Sequence, residues 1–388
     1  MPVTALRPRE SALMANMIYG GLQLDDPDQI MAGAVGDLNT RWAPVGDTIK
    51  GRSGVGPKFM KRNSNFAMVL QRKGAPTEKA VVIRGTQKTS LRDWLTNGNM
   101  GVTPGPGGTV VHMGFNRVFK SILPDVDAAV TGSRTDLLHV VGHSLGGAIA
   151  THMATHYALA GRSVALYTYG APRPGFYDFS RKVRSAVGPN NVYRVYDLRD
   201  PVPMVPLFPF FHPNSPSDGI RVGGSTGRIS VGAHDMESNY IRQVGESDWT
   251  ALTREGAGYK SHQGLDYWLE EAGRATRIPG ASLGLWALGK ALQALLKLVA
   301  VSVQFVIGVA ATTLDLMAWL LTKAVEMAGK IGSSALRWIG LALRWLGRGA
   351  YNAGVTAGQV TRAFLRYVLD LMTRAIFTPI NAAINAFT

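Results

Sequence analysis

The chain has 388 residues and no cysteine, and its 41 Lys and Arg against 26 Asp and Glu give a formal net charge of +15. This length exceeds what a single hydrophobic core usually supports, so we expect two structural units. The lack of cysteine fits an oxidising destination and a cytosolic one equally. No zinc-ligand spacing, phosphate-binding loop or aromatic RNA-binding signature accompanies the positive charge. We therefore expect no nucleic-acid partner and favour anionic phospholipid headgroups.

The N-terminal part of the sequence predicts structure rather than chemistry. Residues 1–10 contain no apolar signal core, so we do not expect secretion through a cleaved leader. Residues 14–24 indicate an opening helix, and residues 42–56 indicate a polar, glycine-rich loop. Residues 80–83 are apolar, which predicts a buried strand that ends in a turn at residues 84–86.

The sequence Gly-His-Ser-Leu-Gly at residues 142–146 is the strongest signal in the chain. It follows the apolar run 136–141 and precedes the helix-like stretch 147–154. A Gly-x-Ser-x-Gly between a strand and a helix is typical of a sharp turn that lifts a serine hydroxyl above a parallel sheet. We therefore predict that Ser144 is a nucleophile in an α/β fold with a mainly parallel central sheet.

A serine nucleophile needs a histidine base and a carboxylate that orients this base. In this kind of fold the acid follows the serine, and the histidine follows the acid. Residues 192–196 predict a strand, and Asp200 comes at its carboxyl end, where open α/β sheets gather their chemistry. We prefer Asp200 to Asp197 as the acid. The alternative is that one of these aspartates only pairs with Arg194 or Arg199 at the surface.

Three histidines follow the acid, namely His212, His234 and His262. His234 follows a turn-rich stretch and opens an amphipathic segment, so a loop can present its ring. We favour His234 as the base, with His262 and then His212 as alternatives. The other histidines come too early in the chain, lie on the helix behind the serine or sit inside the serine turn: His112, His139, His143, His152 and His156.

Acyl transfer also needs hydrogen-bond donors for the developing oxyanion. One donor is expected from the backbone N–H of Leu145, the residue after the nucleophile. A second is expected from the turn after an earlier core strand, where Thr86 offers a backbone and a hydroxyl donor. The predicted chemistry requires no metal and no organic cofactor.

An ordered set of landmarks resembles the class 3 lipases, a family of fungal triglyceride lipases, plant acylhydrolases and bacterial relatives. The landmarks are residues 84–86, 90–95, 111–115, 142–146, 169–173 and 200–203. The resemblance covers about residues 65–240 and implies an α/β-hydrolase in which Thr86 completes the oxyanion hole. It also implies a lid helix at residues 89–97 that opens at a lipid surface and carries Leu91, Trp94 and Leu95. The alternative for Trp94 is a position in the core.

The composition changes after Pro279 and Gly280 to Leu, Ala, Val, Ile, Trp and Gly. This change predicts a hydrolase domain at residues 1–278 and a helical, apolar and basic domain at residues 279–388. Residues 298–314 carry no charge, which is at the lower limit for a helix that spans a bilayer.

Four basic residues recur every seven positions in this tail. On one continuous helix they would form a stripe opposite Trp and Leu, as in a helix that lies in a membrane interface. They are Lys323, Lys330, Arg337 and Arg344. Nearby glycines favour separate helices instead. We expect the tail to associate with membranes, and the alternative is a helical bundle packed on the hydrolase or on a partner.

The residues and the resemblance together predict a serine lipase of phospholipase A type that acts on membrane glycerophospholipids. The alternatives are a triacylglycerol lipase, a soluble carboxylesterase whose tail serves oligomerisation, and a membrane-permeabilising toxin. The tail predicts a membrane-associated protein. Bacterial relatives with such tails and no leader resemble toxins, which leads to the hypothesis of an antibacterial effector exported by a leaderless route, with the cytoplasmic face as the other location. The sequence identifies no inhibitory or chaperone protein partner.

Overall fold

A computed structural model gives the fold. It describes residues 4–22, 24–34, 36–53, 62–85, 101–213, 219–224, 227–256, 264–302, 313–348 and 357–386. Several predicted site residues lie outside these ranges, namely Thr86 of the expected oxyanion hole and Leu91, Trp94 and Leu95 of the expected lid. The alternative base His262 also lies outside them.

A mixed sheet of eight strands forms the centre of the hydrolase part. The strands of the chain are β1 (Trp42–Pro44), β2 (Ile49–Ser53), β3 (Arg62–Arg72), β4 (Ala75–Ile83), β5 (Val102–Pro104), β6 (Val110–His112), β7 (Leu137–His143), β8 (Ser163–Tyr169), β9 (Val192–Asp197) and β10 (Ile220–Val222). The order in the large sheet is β1-β3-β4-β7-β8-β9-β10, and β2 also pairs with β3. Strands β4, β7, β8, β9 and β10 run parallel, whereas β1, β2 and β3 pair antiparallel at one edge.

Helices cover both faces of this sheet, because its central strands are apolar on both sides. In β4, Val81 and Ile83 belong to one buried cluster, and Ala80 and Val82 belong to the other. The helices of this part are α1 (Pro8–Met17), α2 (Pro27–Ala32), α3 (Leu38–Arg41), α4 (Met113–Thr131), α5 (Leu145–Leu159), α6 (Tyr177–Val187), α7 (Ile241–Val244) and α8 (Trp249–Gly256). Helices α4, α5 and α6 pack on the first face, and α1, α7 and α8 pack on the second. This is the expected α/β-hydrolase architecture.

The N-terminal part differs from expectation in two places. Residues 42–56 were predicted to form a loop, but β1 and β2 lie within them and pair with β3. The predicted loop is wrong. Trp42 is buried, and its indole N–H donates to Glu10 at 2.9 Å, so contacts with residues distant in sequence hold this segment as a strand. The opening helix also begins earlier than expected, at Pro8.

The tail forms a helical bundle. Its helices are α9 (Leu265–Ala275), α10 (Ser282–Ser302), α11 (Thr313–Glu326), α12 (Lys330–Trp345) and α13 (Arg362–Ala386). Helix α9 precedes the expected domain boundary but packs along α10. Among the described residues, one helix, Ser282–Ala300, is long and apolar enough to cross a membrane, and 56% of it is buried inside the fold.

The bundle shares one hydrophobic core with the hydrolase. Val202, Met204 and Val205, just after the predicted acid, are buried in the same cluster as the apolar faces of the tail helices. The ring of Trp286 in α10 stacks on Tyr196 of β9, with centroids 4.9 Å apart and planes 14° apart. The described tail is therefore packed on the hydrolase, which corresponds to the bundle alternative.

The basic residues of the tail do not lie on one helix. Gly329 has a φ of 75°, outside the helical region, and separates α11 from α12. Lys323 therefore lies in the last turn of α11 and pairs with Glu326 at 2.7 Å, whereas Lys330 begins α12 and pairs with Asp266. The described tail thus has the separate helices that the glycines predicted, and no continuous basic stripe.

The apolar segment 207–211 packs between the two parts of the chain. Phe208 is buried in the core shared with the bundle, and Phe210 contacts the ring of Phe176 with centroids 5.1 Å apart. The side-chain amide of Gln293 in α10 donates to the main-chain oxygen of Phe210 at 3.1 Å. The segment is therefore packed between the hydrolase and the bundle.

The shared core predicts the effect of a substitution at Trp286, which is 3% exposed. We expect Trp286→Ala to lower the free energy of unfolding by about 3–5 kcal/mol, because it removes a buried aromatic side chain and leaves a cavity. Urea unfolding measures this loss. In Leu298→Ala, a control in the same helix at a side chain 47% exposed, the change is expected within about 0.5 kcal/mol. Equal losses in the two variants would contradict the shared core.

Candidate active site

A sharp turn between β7 and α5 presents Ser144. Among the described residues other than glycine, Ser144 alone has a positive φ, with φ 56° and ψ −134°. The flanking glycines explain why the turn is possible. A Cβ at Gly142 would lie 2.4 Å from the main-chain oxygen of Gly146, and a Cβ at Gly146 would lie 2.2 Å from that of Ile83. Both contacts are too short for any side chain, so this strained turn requires glycine at both positions.

Ser144, His234 and Asp200 form one hydrogen-bonded series. The Nε2 atom of His234 lies 2.9 Å from the Ser144 hydroxyl oxygen. The Nδ1 atom of the same ring lies 2.8 Å from Oδ2 of Asp200. Since a carboxylate only accepts hydrogen bonds, Nδ1–H donates to Asp200 and the neutral ring accepts the Ser144 proton at Nε2. The structure thus brings the predicted nucleophile, base and acid together.

Asp200 is fully buried and has two further hydrogen-bond donors. The backbone N–H of Val202 donates to Oδ1 at 2.9 Å, and the Tyr240 hydroxyl donates to Oδ2 at 2.7 Å. These bonds compensate the desolvation of the carboxylate and fix its plane relative to the ring of His234. Tyr240 was not predicted from the sequence. Only its position six residues after His234, on the turn Met236–Tyr240, pointed to it.

The alternative acid, Asp197, binds other residues. Its carboxylate accepts from the Arg199 guanidinium at 2.6 Å and 3.0 Å and from the Arg199 backbone N–H at 2.8 Å. Asn239 donates to it at 3.3 Å. Asp197 therefore pairs with a neighbouring arginine, as anticipated for the aspartate that is not the acid.

The other described histidines take structural positions. His212, an alternative base, is buried and its Nε2–H donates to the main-chain oxygen of Pro203 at 2.7 Å. His112 accepts from the first amides of α4 and so caps this helix. His139 lies between Glu78 and Tyr167 within the sheet.

One half of the expected oxyanion hole lies in the described structure. Leu145 is the first residue of α5, and amides in the first turn of a helix have no partner within the helix. Its N–H therefore lies next to Ser144 at the positive end of the helix dipole. Thr86 lies outside the described residues, but Gly85 before it is placed: a Cβ there would come within 3.0 Å of the Ser144 Cβ.

This arrangement is suited to nucleophilic attack by a hydroxyl group. The base can take the serine proton, and the buried carboxylate can stabilise the resulting imidazolium. The Leu145 amide, the first of the helix after Ser144, is a donor for the oxyanion. Among the described residues, no group of three His, Cys, Asp or Glu side chains is placed to hold a metal ion.

Comparison with known proteins agrees with this geometry. Residues 80–210 match the family model described as Lipase (class 3). This segment of the chain belongs to the class 3 lipase family. Ser144 and Asp200 lie within the class 3 lipase segment, and His234 follows it in the chain.

Two secreted fungal proteins are similar to this chain. Secreted mono- and diacylglycerol lipase 1 of Fusarium solani is 33% identical over 172 residues, which are 43% of this chain and 47% of that protein. Secreted mono- and diacylglycerol lipase A of Penicillium camembertii is 34% identical over 139 residues, which are 34% of this chain and 44% of that protein. The chain thus spans about half the length of the curated relatives it matches.

Solved lipase structures are also similar. A triacylglycerol lipase whose catalytic centre is described as a serine protease triad is 26% identical, with 55% of this chain and 77% of that chain covered and a TM-score of 0.42. The lipase of Rhizopus microsporus var. chinensis is 24% identical, with 57% and 76% covered and a TM-score of 0.40. The fold assigned above rests on the strand order and the serine turn.

The bond from Tyr240 to Asp200 predicts a kinetic effect. In Tyr240→Phe we expect kcat for a soluble p-nitrophenyl ester to fall about tenfold, because a hydrogen bond to a charged group contributes about 1.5 kcal/mol. KM is expected to stay unchanged, since the Tyr240 hydroxyl bonds to Asp200 and not to the substrate. Tyr367→Phe, at an exposed tyrosine of the tail, is the control. An unchanged kcat in Tyr240→Phe would contradict a role for this bond.

Two buried histidines behind the serine predict a loss of stability in acid. Burial lowers the pKa of His112 and of His152 to about 3. Below pH 6.5 the unfolded chain binds protons at these rings that the folded protein does not bind, so stability falls as the pH decreases towards 3. Each ring contributes up to about 1.4 kcal/mol per pH unit below pH 6.

Urea unfolding between pH 6 and pH 4 tests this expectation. In His152→Gln one of these titrating rings is missing, so the slope of unfolding free energy against pH is expected to be smaller by about 1.4 kcal/mol per unit. A slope equal to that of the unsubstituted protein would show that the His152 ring is protonated in the folded state.

Proposed function

We propose that the protein is a serine hydrolase that cleaves acyl esters of lipids. The single observation that carries this proposal is the hydrogen-bonded series of Ser144, His234 and Asp200, in which both imidazole nitrogens are used. The class 3 lipase segment and the two mono- and diacylglycerol lipases that resemble it support a lipid substrate.

The proposed reaction follows from the proton positions. The Ser144 oxygen attacks the ester carbonyl while Nε2 of His234 accepts its proton, and Asp200 stabilises the imidazolium. The N–H of Leu145, together with the proposed Thr86 donors, stabilises the oxyanion. The C–O bond of the ester breaks, the alcohol leaves with the proton from His234, and water then releases the fatty acid from the serine by the same steps.

Membrane glycerophospholipid is the proposed substrate. The net charge of +15 favours surfaces with anionic headgroups, and basic side chains of the tail such as Lys297 and Arg337 are exposed. The second candidate substrate is mono- or diacylglycerol, which the names of the two fungal relatives favour. We place the protein at membrane surfaces, and its export into rival cells stays a prediction.

Fatty-acid release decides between these substrates. The full chain is incubated with vesicles of phosphatidylglycerol, vesicles of phosphatidylcholine and dispersions of dioleoylglycerol. We expect the fastest release from phosphatidylglycerol, with a rate that falls as salt is raised, because exposed charges are screened. Release from the diacylglycerol alone would favour the second candidate.

Ser144→Ala is the control for the chemistry. We expect its release of fatty acid to fall at least about 10⁴-fold, since the nucleophile is missing. Leakage of a dye trapped in the same vesicles is measured in parallel. A Ser144→Ala protein that still causes full leakage would identify membrane permeabilisation as the main activity and would overturn the proposed function.

A further inference from the structure

His143, the residue before the nucleophile, has no part in the proposed reaction, yet one of its ring nitrogens contacts the base and the other contacts Tyr19. It is 5% exposed. Its Nε2 atom lies 2.8 Å from the main-chain oxygen of His234, and its Nδ1 atom lies 2.6 Å from the hydroxyl of Tyr19. Tyr19 comes from the turn Ile18–Leu22 at the N-terminus, far from the other site residues in sequence.

The proton positions in this series follow from the chemistry of its ends. Burial holds the pKa of His143 well below its ordinary value, so the ring is neutral and carries one proton. The carbonyl of His234 can only accept, so Nε2 of His143 donates to it. Nδ1 is therefore the acceptor, and the Tyr19 hydroxyl donates to it. In both hydrogen bonds the donor is therefore determined: Tyr19 donates to His143, and His143 donates to His234.

Tyr19 also contacts the segment that leads to the expected oxyanion donor. The Tyr19 hydroxyl lies beside Gly85. A Cβ at Gly85 would lie 2.6 Å from that hydroxyl and 3.0 Å from the Ser144 Cβ, so glycine is needed for this approach. Gly85 is thus held between Tyr19 and the nucleophile.

The rings of His143 and His234 are also in contact. Their centroids are 4.6 Å apart, with 34° between their planes. Asp200 fixes one ring nitrogen of the base, whereas His143 fixes its main chain and packs beside its ring. One further hydrogen bond fixes the turn Val231–His234: the Asn239 side chain donates to the main-chain oxygen of Ala233 at 2.7 Å.

We propose that His143 and Tyr19 are positioning residues that connect the oxyanion segment at Gly85 to the base His234. The hydrogen-bonded series of the Tyr19 hydroxyl, the His143 ring and the His234 carbonyl, with the Tyr19 hydroxyl packed against Gly85, fixes the distance between the base and the nucleophile. This inference rests on the proposed hydrolase function. It assigns a task to the N-terminal turn and to the residue inside the serine motif.

Paired substitutions at position 143 test the proposal. His143→Leu removes both bonds. His143→Gln keeps an N–H at a reach similar to that of Nε2, so it can still donate to the His234 carbonyl. Tyr19→Phe removes only the hydroxyl. Tyr177→Phe, at a surface tyrosine 37% exposed, is the matched control.

Each variant is titrated with a fluorophosphonate, which counts the sites that have a reactive Ser144. The kcat per titrated site is then measured with a soluble p-nitrophenyl ester. We expect kcat per site to fall about 30-fold in His143→Leu and about tenfold in Tyr19→Phe, with KM unchanged, because small displacements of a base reduce the rate strongly. His143→Gln is expected to keep at least about a third of the original rate, and the double variant of Tyr19→Phe and His143→Leu is expected to be no slower than His143→Leu.

The outcomes separate this inference from the proposed function. An unsubstituted protein that neither reacts with the fluorophosphonate nor cleaves the ester overturns both. An active protein whose variants differ only in the number of titrated sites overturns the inference alone, since His143 and Tyr19 then contribute only to folding. A melting curve of each variant shows whether it is folded. If His143→Leu is unfolded, Tyr19→Phe decides: a rate per site equal to that of Tyr177→Phe overturns the inference.

Discussion

The active site depends on the close approach of the first turn of α5 to the end of β4. Gly146 lies so close to the carbonyl of Ile83 that no side chain fits between them. Because the helix starts there, the chain must turn within one residue, and Ser144 takes a φ of 56°. This turn places the hydroxyl beside the His234 ring and the Leu145 amide at the helix N-terminus. The other site residues are arranged around a serine whose position the backbone alone has fixed.

A second constraint is the packing of the C-terminal helices against the segment that follows Asp200. The residues that follow Asp200 are buried in the same core as the tail helices, and Trp286 packs against Tyr196 of the strand that leads to the acid. The apolar surface that suggested membrane association thus supports the acid loop in the packed state.

The sequence predicted the parts of the site that follow from chain order. Ser144 came from a local motif, and Asp200 and His234 came from the order of acid and base after it. The structure brings these residues within hydrogen-bond distance of one another. The tasks of Tyr19 and Tyr240 were not predicted, because a tyrosine that donates one hydrogen bond leaves no local pattern. The lid residues Leu91, Trp94 and Leu95 stay a prediction.

The sequence by itself determined the parallel α/β sheet and the nucleophile, because strand hydrophobicity and the two glycines of the serine turn act over a few neighbouring residues. Only the tertiary structure decided three other points. It distinguished Asp200 from Asp197, turned the segment near Trp42 into edge strands, and packed the tail on the hydrolase. These outcomes depend on contacts between residues far apart in the chain, and an apolar helix has the same composition whether lipid or protein covers it.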